Sequence, residues 1–358
     1  MRTSRTNTGG GRRAVLAALT LMATTLAPLP AAYGLAREAA CTWRAALLPV
    51  PADLNGGAEI TAADSAGGYA GDGEFMMPWG GSSTTALRWK DGKVTEFTAP
   101  TDLYDPTVTG VNRDGTVVGD GNDLGDSHAF RSRGGTLERL PEPAGAYQSW
   151  ATGINDNGDI VGHVGRKTTQ GGVTYPVYQA VIWPASAPGT VVPLSGGLPA
   201  TGQTQAAGID QDGTVAVAYT TKATDWFKAT ALYLWRNGGA RKPALPSGTA
   251  GFEATGIAGG RVAGVTYTSA TSEEQGVLWD QNGTPLRPTN SLHVNSVNRS
   301  GQSVGRTKGG YGVWQLGQQV TTMPGTLALT VSADDGAVAG WSRPDPGGDN
   351  LPTVWRCG

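Results

Sequence analysis

One segment that recurs along the chain constrains its fold more than any other feature. In its clearest copy, Ala151–Gly162, β-branched residues flank the turn Asn155-Asp-Asn-Gly158. Asn and Asp side chains hydrogen-bond the turn backbone, and Gly adopts the positive φ that closes a bulged hairpin. A third apolar run ends at Trp183, and Thr190–Leu194 supplies a fourth. Each copy predicts a small four-stranded antiparallel sheet, which cannot bury both faces alone, so the copies must stack.

Seven copies can be aligned on their turn glycine. These anchors are Gly67, Gly115, Gly158, Gly213, Gly260, Gly301 and Gly336. Four residues after each anchor stand Gly71, Gly119, Gly162, Val217, Gly264, Gly305 and Gly340. The fifth and seventh copies are the least regular, because their turns lack the usual Asx residue.

A tryptophan ends the third strand in six copies. These residues are Trp89, Trp183, Trp235, Trp279, Trp314 and Trp355. The second copy has Ser132 there and places Phe130 two residues earlier, on the same strand face. We interpret this position as the core between neighbouring sheets.

The composition agrees with an all-β chain. It has 55 Gly and 22 Pro among 358 residues and no long stretch of helical periodicity. The sequence therefore predicts a seven-bladed β-propeller of four-stranded antiparallel blades, with an open solenoid as the alternative.

The two ends of the chain indicate how the ring closes. The seventh copy stops after its third strand, at Trp355-Arg-Cys357, whereas Cys41–Val50 has the pattern of a fourth strand without the preceding three. We expect the N-terminal strand to complete the last blade. Cys41 and Cys357 would then meet in a disulfide, the alternative being two free thiols.

The repeat also resembles a known family. The pattern Gly-Ile-Asn-x-x-Gly-x-Val-Val-Gly, followed by His128-Ala-Phe130, a Trp and a Gly turn, is similar to the bacterial extracellular HAF-repeat family. The resemblance covers nearly all of residues 50–356 and implies a secreted propeller-like repeat protein. It implies no reaction and no catalytic residues. Only one copy keeps the literal His-Ala-Phe.

The N-terminal segment predicts export. Basic residues precede an apolar run, Ala14–Ala27, and a small-residue cleavage site follows at Ala32-Tyr-Gly34. A membrane anchor is disfavoured, because the run is short and Pro28 follows it at once. We expect residues 1–40 to be signal peptide and leader, residues 41–358 to be a single propeller domain, and the mature protein to be secreted. The basic residues are Arg2, Arg5, Arg12 and Arg13.

Charge excludes some partners. Residues 1–40 hold five Arg and one Glu, so their removal changes the formal charge of −2 to −6. No basic stripe is present, which argues against nucleic-acid binding. We expect a monomer that does not insert into membranes after signal cleavage.

Aromatic residues mark a candidate binding surface. Loops between second and third strands, and links between blades, should share one end of the ring, called here the loop face. Function is often carried by such loops. Aromatic side chains there suit a sugar or a protein hot spot, although packing beneath their own loops is an equal alternative. The candidates are Trp79, Trp150, Tyr175, Tyr178, Trp226, Phe227, Tyr267 and Trp341.

Other motifs predict no catalytic or metal site. Gly301-Gln-Ser-Val-Gly305 matches a nucleophile elbow, but Ser303 falls on a repeat strand. The acidic stretch Asp120–Asp126 lacks the distal Glu of a calcium loop, so a solvated turn is expected. The loop-face residues His128 and His163 are expected to be solvated, with an acid/base role as the alternative, and neither metal nor cofactor is expected.

Three functions remain open. Non-catalytic binding of an extracellular carbohydrate or protein through the aromatic loop face is favoured. The alternatives are a glycosidase or polysaccharide lyase with carboxylates at the channel mouth, and a structural protein without a small ligand. Carboxylate separation, which decides the second alternative, depends on the fold.

Overall fold

Each copy of the repeat forms one blade of a closed ring. The structure is a computed structural model that describes residues 41–170, 172–221, 229–268 and 273–358. Seven four-stranded antiparallel sheets make a seven-bladed all-β propeller, confirming the predicted fold class. Thr42–Gly358 forms one compact unit. No helix long and apolar enough to span a membrane occurs in the described part of the chain.

The first four complete sheets run from the innermost to the outermost strand in chain order. Their strands are β2 (Ala58–Ala63), β3 (Tyr69–Met76), β4 (Ser82–Lys90) and β5 (Lys93–Glu96) in blade 1; β6 (Tyr104–Val111), β7 (Val117–Asp123), β8 (Asp126–Arg133) and β9 (Thr136–Arg139) in blade 2; β10 (Gln148–Ile154), β11 (Ile160–Gln170), β12 (Val173–Trp183) and β13 (Val192–Pro193) in blade 3; and β14 (Gln203–Ile209), β15 (Val215–Thr220), β16 (Ala231–Arg236) and β17 (Gly239–Arg241) in blade 4.

The remaining three sheets include both irregular copies, and each has its four strands. They are β18 (Gly251–Ala258), β19 (Arg261–Tyr267), β20 (Glu274–Trp279) and β21 (Pro285–Leu286) in blade 5; β22 (Ser291–Val297), β23 (Gln302–Thr307), β24 (Gly310–Gln315) and β25 (Gln318–Met323) in blade 6; and β26 (Leu327–Ser332), β27 (Val338–Ser342) and β28 (Leu351–Cys357) with β1 (Trp43–Leu47) in blade 7.

The last blade is closed by the first strand. β1 pairs antiparallel with β28, and Trp43 lies opposite Cys357. Cys41 and Cys357 form a disulfide beside this pairing. The predicted closure and disulfide are both confirmed.

The repeat turn adopts the expected conformation. In blade 3, Asn155 Oδ1 accepts hydrogen bonds from the backbone N–H groups of Asn157 (3.1 Å) and Asp159 (2.9 Å). Gly158 has φ of 86°, where a residue with Cβ would be strained.

The repeat tryptophans lie between blades, as predicted. Trp89, Trp279 and Trp314 are at most 2% exposed. The indole N–H of Trp183 donates to the backbone oxygen of Pro141 at 2.7 Å, just after the outermost strand of the preceding blade. Phe130, which replaces a tryptophan in blade 2, is fully buried.

A β-bulge occurs in the innermost strand of every blade. In blade 3 the pairing with β11 shifts between Ala151 and Gly153, which leaves Thr152 unpaired and free to point at the next blade. Its hydroxyl donates to the backbone oxygen of Ala206 at 3.0 Å. The seven bulged residues are Thr61, Thr109, Thr152, Ala207, Thr255, Asn295 and Thr330.

Six of these residues link consecutive blades around the channel. Each donates a side-chain hydrogen bond to a backbone oxygen on the innermost strand of the following blade. Thr330 of blade 7 donates to Ile60 of blade 1, so this set of bonds, called here the bulge belt, passes across the junction of the ring. Ala207 has no donor, which interrupts the belt between blades 4 and 5.

The second repeat glycine is explained by the same bulge. A Cβ on Gly162 would lie 1.8 Å from the backbone oxygen of Trp150, which the bulge brings close to β11. A Cβ on each of the other five glycines would lie 1.9–2.2 Å from the equivalent oxygen.

Blade 4, which has Val217 at this position, also has Ala207 in place of the belt donor. On the other end of the ring, the Asp210 carboxylate accepts the N–H groups of Gly259 and Gly260, which links blades 4 and 5 differently.

Replacing Thr330 with Val should weaken the junction. The change keeps the shape and removes the bond to Ile60, leaving that oxygen without its donor. We expect a loss of about 1–2 kcal/mol in the free energy of unfolding, measured with denaturant. Thr95→Val, an exposed substitution on the outermost strand β5, is the control. Equal stability of the two variants would contradict a role for the belt.

Removing the disulfide should destabilise the ring. The bridge closes a loop of 357 − 41 = 316 residues, and chain entropy gives an upper figure of roughly 5 kcal/mol. The Cys41→Ser/Cys357→Ser double variant should therefore melt several degrees below the wild type under oxidising conditions. In reductant the two should melt alike. A difference that persists in reductant would assign the effect to the substitutions themselves.

Candidate functional site

A cavity opens in the channel on the loop face. It has a volume of about 630 Å³ and is formed by the inner strands of blades 1 to 5. Belt residues Thr61, Thr152 and Thr255 line its wall. The volume lies within the usual range for small-molecule sites. We call it the channel cavity.

The residue two positions before the bulged residue differs from blade to blade. It lies opposite the residue that follows the second repeat glycine, as Trp150 lies opposite His163. The scaffold therefore repeats one backbone position seven times with six different residue types, since Glu occurs twice. This set, the mouth ring, is Glu59, Thr107, Trp150, Gln205, Glu253, His293 and Ala328.

An aromatic cluster in blade 3 forms one wall of the channel cavity. The rings of Trp150 and His163 stack with centroids 4.9 Å apart and planes inclined by 21°. Tyr178 meets both edge-on, at 5.5 Å from Trp150 and 5.7 Å from His163. Tyr178 is buried and Trp150 half-buried. The indole is thus held in place before any ligand arrives, which reduces the entropy lost on binding.

His163 is an uncharged member of this cluster. Its Nδ1 is buried and has no hydrogen-bond partner among the described residues. Desolvation lowers the pKa of His163 to about 4, because burial penalises the imidazolium. At neutral pH the ring therefore adds polarity to the cavity wall without adding charge.

Glu253 places a carboxylate in the channel cavity. Its side chain is exposed and lines the same cavity as the aromatic cluster, from blade 5. The hydroxyl of Tyr267 donates to Glu253 Oε2 at 3.3 Å. Burial, and next the Glu253 charge, raise the pKa of Tyr267 to about 12, so Tyr267 stays a donor and orients the carboxylate.

Two further acids lie on the second strands of blades 1 and 2. Burial raises the pKa of Asp72 to about 8, against a hydrogen bond from the Val108 N–H, and Glu59 and Asp120 repel its charge. Burial also raises the pKa of Asp120 to about 6. The expectation of a solvated turn is therefore wrong for Asp120, which lies on β7.

The structure separates most of the predicted aromatic residues. Trp150 and Tyr178 line the channel cavity, and Tyr267 contacts it only through Glu253. Trp79 stands at the β3–β4 tip, 82% exposed. Tyr175 lies on the β11–β12 hairpin opposite Thr168, and Trp341 lies half-buried on β27 with Arg343 over its ring. Trp226 and Phe227 lie outside the described residues.

Several residues that line the channel cavity are not among the candidates predicted from the sequence. Gln205 and Glu253 belong to no local motif. The one signal in the sequence is their position in the repeat, since each pairs with the residue that follows the second repeat glycine position. The expectation that His128 and His163 are solvated is wrong. His128 is 8% exposed and its Nδ1 lies 2.7 Å from Glu142 Oε1, whereas His163 packs on Trp150.

Ser303 has the predicted structural role. It lies on β23, fully buried, opposite Val297 and Trp314. A buried strand residue cannot act as an exposed nucleophile.

Within the described residues no group of three or more His, Cys, Asp or Glu could hold a metal ion.

Comparisons with known proteins show only the fold. No protein-family model and no curated protein matches the sequence. An acylaminoacyl peptidase from Pyrococcus horikoshii matches in structure with a TM-score of 0.54 and 12% identity, over 84% of this chain and 52% of that chain. This chain thus spans about half of that peptidase's length.

Two other structures match less well. One is a protein of unknown function from Dyadobacter fermentans, with TM-score 0.44 and 12% identity over 87% of this chain and 98% of that one. The other is a gluconolactonase from Xanthomonas campestris, with TM-score 0.39 and 14% identity over 87% and 99%. At these scores neither supports an argument about function.

Asp72→Asn should become more stabilising as pH rises. The folded-state pKa of about 8 exceeds the ordinary value of 3.8, so the wild type loses stability as pH rises through this window. Asn keeps the acceptor for Val108 and carries no charge. The difference in melting temperature, variant minus wild type, should grow from pH 4 to pH 8. Asp91→Asn in the exposed β4–β5 turn is the control, and a flat difference for Asp72→Asn would contradict the account.

Proposed function

We propose that this protein is an extracellular, non-catalytic binding protein that holds a carbohydrate in the channel cavity. The observation that carries the proposal is the fixed indole of Trp150 at the wall of a 630 Å³ cavity. An indole gives a flat apolar face to the C–H groups of a sugar ring, while its surroundings can remain polar.

The polar lining suits the hydroxyls of such a ligand. Gln205 offers both a donor and an acceptor, and Glu253 offers an acceptor. The threonine hydroxyls of the belt are engaged with backbone oxygens and keep acceptor capacity. A few polar groups around an aromatic wall are typical of small-ligand sites.

The extracellular location rests on two features. The N-terminal segment has the pattern of a signal peptide, and the Cys41–Cys357 disulfide is typical of oxidising compartments. The repeat pattern that resembles the HAF-repeat family supports the same location, and we include membership of that family in the proposal.

Binding is favoured over glycoside hydrolysis by the carboxylates of the cavity. Most glycoside hydrolases act with a pair of carboxyl groups about 5 to 10 Å apart. The described lining of the channel cavity holds one, that of Glu253. Asp72 and Asp120 lie outside this lining.

A protein partner on the rim of the loop face is the second candidate. Large apolar side chains are exposed at the tips and edges of blades 1 and 2, and such patches mark interaction surfaces. Their exposures are Met76 49%, Trp79 82%, Tyr104 53% and Leu124 97%. This surface is separate from the channel cavity, so substitutions distinguish the two.

Trp150→Ala should abolish carbohydrate binding by the mature protein. The change removes the indole against which the sugar ring would lie, and aromatic side chains are often the dominant contacts of a binding site. A glycan array followed by calorimetry on the best ligand measures the effect, with an expected loss of at least about tenfold in affinity. Trp79→Ala is the matched control and should bind as the wild type does.

Melting temperatures of both variants show whether folding is intact. Loss of binding in Trp79→Ala but not in Trp150→Ala would move the site to the rim. A folded wild type that binds no glycan would contradict the proposed function and favour the protein partner.

A further inference from the structure

The mouth of the channel is rich in carboxylates and poor in cations. Of the seven mouth-ring residues, Glu59 and Glu253 are acids and none is Lys or Arg. The paired positions on the second strands add Asp72 and Asp120, and their single cation, Arg306, forms an ion pair with Glu274. All fourteen positions lie in the described residues. Asp72, with a pKa of about 8, is largely neutral at pH 6 to 7 and adds little charge. The other carboxyl groups attract ligands of the opposite sign.

The carboxylate of Glu253 is available to a ligand. Its Oε2 accepts the Tyr267 hydroxyl, and no described residue donates to Oε1. The side chain is exposed to the cavity. Within the described lining it is the one carboxyl group, and the other titratable nitrogen group there, His163, is neutral at pH 7.

The aromatic cluster and this carboxylate line the same cavity, with Gln205 on the blade between them. Trp150 and Tyr178 belong to blade 3, Gln205 to blade 4 and Glu253 to blade 5. Aromatic rings attract cations through their electron-rich faces, and an ammonium group donates up to three hydrogen bonds. A carboxylate beside an aromatic wall therefore favours a cationic group over a neutral one of similar shape.

We propose that the carbohydrate held in the channel cavity carries a protonated amine, as a de-N-acetylated amino sugar does. The ammonium group bonds Glu253, and the sugar ring lies against Trp150. This specificity rests on the proposed function, since it names the chemistry of the ligand for the same cavity.

Calorimetry with two matched oligosaccharides tests the proposal. A tetramer of glucosamine and a tetramer of N-acetylglucosamine differ only in the charge and acyl group of the nitrogen. The wild type should bind the amine form at least about tenfold more tightly at pH 6, where the amine is protonated. The preference should decrease in high salt, because screening weakens charge attraction.

Glu253→Gln should remove this preference. Gln keeps the size and hydrogen-bonding capacity of the side chain and lacks the charge, so affinity for the glucosamine tetramer should fall about tenfold. Glu96→Gln, on the outermost strand β5 and exposed, is the matched control and should leave the preference unchanged.

The outcomes separate this inference from the proposed function. Equal binding of both tetramers, with no effect of Glu253→Gln, would overturn the inference and leave carbohydrate binding intact. Failure of both tetramers, with no ligand on a glycan array, would overturn both. If Glu253→Gln does not fold, the preference of the wild type between the two tetramers still decides.

Discussion

The bulge in each innermost strand is the constraint on which the rest of this propeller depends. One extra residue per blade turns a side chain out of the β ladder, and in six blades that side chain donates to the next blade. The same bulge presses a backbone oxygen onto the second strand, where only glycine fits without displacement. Blade 4 supports this coupling, since it lacks both the donor and the glycine.

The bulge also positions the candidate site. Three of the residues just before it, Trp150, Gln205 and Glu253, line the channel cavity, and the same backbone position recurs in all seven blades. The scaffold keeps that position fixed while its chemistry varies from Trp150 to Glu253. Binding chemistry can thus change from blade to blade without disturbing the belt that holds the ring together.

The fold could be predicted from the sequence because its signals are local and repeated. Asx-Gly turns, a strand-ending tryptophan and an incomplete last copy each carry a direct physical meaning, and together they imply a closed ring. The fifth and seventh copies lack the Asx residue of the turn, yet both form complete blades.

The candidate site was harder to predict because it depends on register. A bulge shifts the pairing by one residue and so exchanges the side-chain directions on either side of it. The sequence pattern alone therefore did not show that Gln205 and Glu253 join Trp150 at the channel. His163 looked like a lone loop histidine, whereas the length of β11 carries it into a packed aromatic cluster.

The most direct measurement is a crystal structure of the mature protein with a bound glucosamine tetramer. The proposed site predicts electron density for a sugar ring against the indole of Trp150, with the sugar nitrogen within hydrogen-bonding distance of the Glu253 carboxylate. Density for the sugar at the Trp79 rim, with the channel cavity empty, would contradict it.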